Sequence, residues 1–138
     1  MIENMDPQQI GTASGLIFGK VERGDDGEIW SVHVALIGED LRAEKAVWPH
    51  YATGFEDLAE FFDTMVEQWR GWDGDIAYES LEHDLRISAR HLGSRIELRV
   101  VLAQTARPDG WTVSASFTLD AGEELINASR IVAAALNS

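Results

Sequence analysis

Two hydrophobic periods alternate along the chain. From Thr12 to Glu22 the run TASGLIFGKVE has strand composition, and its two internal glycines suggest a bulge or a close backbone approach. Arg23 to Glu28 reads RGDDGE, and Asp-Gly readily takes the positive φ that tight hairpins demand. Trp30, Val32, Val34 and Leu36 then alternate with Ser31, His33 and Ala35, which predicts a strand carrying its large apolar side chains on one face. A weaker strand follows from Leu41 to Trp48; its mixed charges predict an edge, and Pro49 stops it because proline cannot donate to a ladder.

The period then changes to 3.6. Thr53 and Glu56 have capping-box spacing, which predicts a helix start. Leu58, Phe62, Met65, Val66 and Trp69 form one stripe, while Glu56, Asp57, Glu60, Asp63 and Glu67 occupy much of the remaining surface. Arg70 suits the last turn, and Gly71 suits the left-handed residue beyond it. Trp72 comes next, either folded back over the helix end as a hydrophobic clasp or exposed beside Asp73 and Asp75.

After Gly74 the period of two returns. Leu81, His83, Leu85, Ile87 and Ala89 share one parity, Ile96 to Leu102 repeat the pattern, and Trp111, Val113, Ala115, Phe117 and Leu119 repeat it again. Asp120 with Glu123 makes an acidic capping box, and Leu125, Ser129, Val132, Ala133 and Leu136 mark the buried side of a closing helix. The expected fold is a single α+β domain over residues 1–138, with a six-stranded, mainly antiparallel sheet and two helices on one face. The element order is β-β-β-α-β-β-β-α, with 1–11 a loose arm and 12–71 and 80–137 two βββα units that share no residue-level identity.

Charge narrows the partners. The 24 acidic residues against 11 basic ones give a formal net charge of -13, which argues against nucleic acid and anionic membrane surfaces and fits a basic protein partner or none, the charge then serving only solubility. With no cysteine, disulfides, thiolate zinc sites and Cys nucleophiles are excluded. The N-terminus lacks signal-peptide pattern and no segment approaches a membrane-spanning length, so a cytoplasmic location is expected.

No residue pattern identifies a reaction. His33, His50, His83 and His91 lie on separate elements without metal-ligand spacing, and Asp73, Asp75, Glu79, Glu82 and Asp84 do not follow an EF-hand order. No phosphate-cradling glycine motif and no nucleophile elbow occurs. Catalytic, cofactor and metal residues are therefore not assigned. Five tryptophans are many for 138 residues, and tryptophan is enriched in cores and in interface hot spots alike. Trp30, Trp69 and Trp111 have core parity, which leaves Trp48 and Trp72 as the candidates for exposure.

The run Trp69-Arg70-Gly71-Trp72, then Ser80-Leu81-Glu82, Asp84-Leu85, Gly110-Trp111 and Gly122-Glu123-Glu124-Leu125, resembles a family of short, acidic, uncharacterised bacterial proteins, a domain of unknown function. The resemblance covers roughly residues 54 to 136 and implies no activity, cofactor or catalytic residue; where His83 stands, the family usually has a small residue. Two functions remain in view. One is a non-catalytic protein-binding module, in the manner of an immunity protein or a small chaperone, whose acidic surface includes Glu60, Asp63, Glu67, Asp73 and Asp75 together with Trp48 and Trp72. The other is a small-molecule binder or enzyme with a pocket between helices and sheet near His83 and Trp72. A homodimer joined through sheet edges or the open sheet face is compatible with either.

Overall fold

A computed structural model describes residues 8–138. It contains eight strands and two helices: β1 (Gln9–Ile10), β2 (Gly15–Arg23), β3 (Ile29–Gly38), β4 (Leu41–Val47), α1 (Glu56–Glu67), β5 (Asp75–Glu79), β6 (Leu85–His91), β7 (Arg95–Ala103), β8 (Thr112–Asp120) and α2 (Glu123–Leu136). The strands form two antiparallel four-stranded meanders, β1-β2-β3-β4 and β5-β6-β7-β8. This corrects the single six-stranded sheet: each half is ββββα, with one strand more than expected. β1 is too short to display a period and lies within the expected loose arm, whose first seven residues fall outside the described ones. β5 hides in a stretch whose acids read as a connection.

Alternation succeeds where both neighbours of a strand are regular. In β7, Ile96, Leu98, Val100 and Leu102 are buried while Arg95, Glu97 and Arg99 are exposed. The inner faces of both sheets join Leu58, Phe61, Phe62 and Met65 of α1 and Leu125, Ala128, Ile131 and Val132 of α2 in one core cluster. The two helices pack on each other, α1 against β5 and α2 against β1, β2 and β8. A hydrogen bond from Ser129 Oγ to Asp63 Oδ1 at 2.7 Å pins the helix pair at its rim.

Three local expectations change. Residues 80 to 84 form a tight turn, not the start of a strand: His83 N donates to Ser80 O, and His83 takes a φ of 62° in the left-handed region. The Thr53/Glu56 capping box does not form; Thr53 offers its carbonyl to Glu56 N, and α1 has no side-chain cap. Helix α1 also ends at Glu67, so Trp69 and Arg70 lie beyond it, and Gly71 takes a φ of 141° in the loop that follows. At α2 the reciprocal box does exist, one residue longer than expected. Asp120 Oδ1 accepts from Gly122 N and Glu124 N, while Glu124 Oε1 accepts from Asp120 N at 2.7 Å.

Candidate functional site

The outward face of the first sheet carries its largest exposed rings. Buried Val32 and Val47 face each other across β3 and β4, so the next position on each strand turns outward and sets Trp48 beside Ser31. The β2–β3 register slips between Glu22/Ser31 and Arg23/Ile29, leaving Trp30 as the extra residue of a bulge. The bulge breaks the parity that Trp30 shares with Val32. Its indole lies over Gly24, where an added Cβ would sit only 2.6 Å from Nε1. Trp30 is 53% exposed and Trp48 47%, while Ser31 is 5% exposed. Tyr51 projects from the loop just after Trp48, 96% exposed.

Acids rim this aromatic pair. Asp25, Asp26 and Glu28 are exposed on the β2–β3 hairpin, and Glu22 lies on the adjoining strand. Farther along the same face Arg42 Nε donates to Glu44 Oε2 at 2.5 Å, and His33 Nε2 lies 2.7 Å from Glu44 Oε1. These two bonds, Arg42's first, hold the Glu44 carboxyl below its ordinary range.

The other residues singled out by the sequence lie apart from one another. Glu60 and Glu67 are exposed on α1, at the spacing of one face with Glu56 and Asp63. Asp73 is exposed beyond the helix, while Asp75 is held by Arg90 at 2.8 and 3.4 Å. Trp72 is half-buried against the core. Its Nε1 donates to Ala89 O at 3.3 Å, and its ring meets His91 edge-on with centroids 5.2 Å apart. His91 Nε2 in turn lies 2.7 Å from Trp69 O, so the clasp closes the chain beyond α1 onto β6. Trp69 itself is exposed, with the Arg70 guanidinium 5.2 Å from its ring centre, and Trp111 is exposed before β8. Their core parity fails because each lies just outside its element, where no partner face continues.

His83 stands at the opposite end of β6 from Trp72. Its side chain is exposed on the turn, with Nδ1 2.9 Å from Glu79 Oε2. Neither of two surface depressions among the described residues is lined by His83 or Trp72. One of about 340 Å³ lies over Ala77, Arg86, Ser88, Arg99 and Val101 on the outward face of the second sheet. The other, about 150 Å³, lies between Gln9–Thr12 and the α2 residues Glu124, Asn127 and Ile131. Among the described residues no group of three or more His, Cys, Asp or Glu is placed to hold a metal ion, and no helix is long and apolar enough to cross a membrane.

One buried polar group went unnoticed in the sequence. Asp84 is 0% exposed, accepts from Ser80 Oγ and pairs with Lys45. A signal for it existed: Lys45 shares the inward parity of Ala43 and Val47, where a lone cation requires a partner. No curated protein and no solved structure matches the chain significantly. The chain belongs to DUF6228, a family of unknown function, whose model matches residues 7–138.

Proposed function

We propose that the protein is a non-catalytic binding module that docks a basic protein partner on the outward face of its first sheet. The observation that carries this reading is that Trp30, next to Ser31 on β3, and Trp48, next to Val47 at the end of β4, are both about half exposed. Isolated exposed apolar residues are normal, but adjacent indoles on a rigid sheet offer large contact area with little side-chain entropy to lose. The electron-rich indole faces attract Lys and Arg at about 0.5–1 kcal/mol each when exposed, and more when desolvated. The acids of the hairpin, Glu22 and the net charge of -13 steer such a partner toward the rings. A partner-binding part for the acidic face of α1, with Glu60 and Glu67, would be a separate contact surface.

The test is parallel affinity capture from the native cell extract at physiological salt, with the natural chain and a Trp30→Ala/Trp48→Ala variant. The expected result is a basic protein retained in stoichiometric amount by the natural chain and lost by the variant, whose circular dichroism stays native. Failure to retain any stoichiometric protein overturns the reading. So does retention of the same partner by both chains.

A further inference from the structure

The outward face of the second sheet carries arginines among its acids. Register orders it into rows: Ala77, Ser88, Arg99 and Ser116 face one another across β5 to β8, and Glu79, Arg86, Val101 and Ser114 form the next row. Arg86 and Arg99 are therefore diagonal neighbours on adjacent strands, about 7–8 Å apart at the backbone. That distance lets two long guanidinium arms converge on one group. Between them lies the depression of about 340 Å³, which Ala77, Ser88, Val101 and the Glu79 carboxylate opposite Arg86 also line.

The pairing of charges on this face is uneven. Acids outnumber bases 24 to 11 in the chain, yet neither guanidinium has a carboxylate within ion-pair distance among the described residues. Two of the three acids near them on this face have other partners. Glu79 meets His83 and Asp75 meets Arg90, while Glu97 stands opposite Arg90 across β6 and β7. Two like charges at diagonal sheet positions repel unless an anion lies between them.

We propose that this depression binds the phosphoryl group of a small phosphate monoester. A dianion matches two guanidiniums in charge, and its three terminal oxygens can accept from both forks and from the hydroxyls of Ser88 and Ser116. A carboxylate is satisfied by a single fork, whereas this arrangement supplies two. Ala77 and Val101 give the organic part of the ester a small apolar surface. The negative charge of the whole chain does not prevent this, because screening over about 8 Å at physiological salt leaves the local arginines to decide.

The experiment is an amide and arginine Nε chemical-shift titration of the intact protein with inorganic phosphate and, separately, with glycerol 3-phosphate. Saturable shifts are expected around Ala77, Arg86, Ser88, Arg99 and Ser116, with the monoester binding more tightly than the free ion. Arg86→Gln and Arg99→Gln should each weaken binding about tenfold, the loss of one charge-assisted contact. Both positions are exposed, so the variants keep their fold. Three results overturn the proposal: no saturable shift, shifts unchanged in the double variant, or a monoester no tighter than inorganic phosphate.

Discussion

Lys45 Nζ lies 2.6 Å from Asp84 Oδ2, a pair that ties β4 of the first ββββα unit to the turn entering β6 of the second. Asp84 is fully buried and also accepts from Ser80 Oγ at 2.5 Å, while Ser80 Oγ accepts from Leu85 N at 3.0 Å. The backbone carbonyl of Asp84 accepts from Ala103 N. Every strong acceptor of the turn is therefore answered, as a buried carboxylate demands.

The two partners differ in exposure, and the cost of removing each should differ accordingly. Lys45→Met leaves a buried carboxylate with only a serine hydroxyl, a loss on the order of 3–5 kcal/mol. Asp84→Asn leaves the Lys45 ammonium, whose side chain is 19% exposed, free to turn toward water. Its cost should be smaller, about 1–2 kcal/mol. Urea denaturation of both variants measures the asymmetry, and equal losses would show that solvent reaches Asp84.

A second prediction concerns alkaline pH. Burial pushes the Tyr78 hydroxyl well above its ordinary value, and the carboxylates of Asp57 and Asp84 push it the same way. The folded chain therefore favours neutral tyrosine more strongly than the unfolded chain does. The resulting stability is complete below the unfolded value of about 10 and is lost as pH rises above it. Between the natural chain and Tyr78→Phe, the stability difference should change by up to about 1.4 kcal/mol per pH unit above pH ~10, and should be flat below it. Chemical denaturation of both chains at pH 8 to 11 checks this; parallel curves throughout would refute it.

The helix starts provide a third. Capping-box spacing occurs before both helices, but only Asp120 makes the side-chain bonds. Asp120→Ala should cost about 1 kcal/mol, and Thr53→Ala should fall within about 0.5 kcal/mol of zero. Thermal or urea unfolding separates the two; a comparable loss at Thr53 would contradict the uncapped start of α1.

The strands and helices with a clean period were legible in the sequence, and the exceptions have local causes. β7 and β8 alternate in sequence as they do in space, because regular ladders preserve parity. Trp30 departs because a bulge adds one residue to β3, and a single inserted position reverses the side of everything beyond it. His83 departs because parity was extended through a turn, where φ of 62° ends the alternation. Strand β5 was missed although Ile76 and Tyr78 alternate with Asp75, Ala77 and Glu79, since five residues can equally belong to a polar connection. The aromatic face of the first sheet was legible only in part: Trp48 was marked by Pro49 and the end of its strand, and Trp30 was concealed by its bulge. Which arginines of the second sheet lack a carboxylate partner among the described residues depends on which acids already have partners, and spacing along a chain carries no such information.

The remaining prediction separates the two tryptophans around Gly71. Trp72 packs against the core, stacks edge-on with His91 and donates to Ala89 O, so truncation removes apolar contact and a hydrogen bond together. A fully buried Trp→Ala change costs roughly 3–5 kcal/mol, and half burial brings the expectation for Trp72→Ala to about 2 kcal/mol. Trp69 is exposed, with the Arg70 guanidinium over its ring, so Trp69→Ala should stay within about 0.5 kcal/mol. His91→Ala should reproduce part of the Trp72 loss, because its ring carries both the edge-on contact and the bond to Trp69 O. In a double-mutant cycle Trp72 and His91 should therefore couple by about 0.5–1.5 kcal/mol, whereas Trp69 and His91 side chains should be additive. Urea unfolding followed by circular dichroism measures all three, and additivity of Trp72 with His91 would mean that the loop beyond α1 is held by Gly71 and the backbone alone.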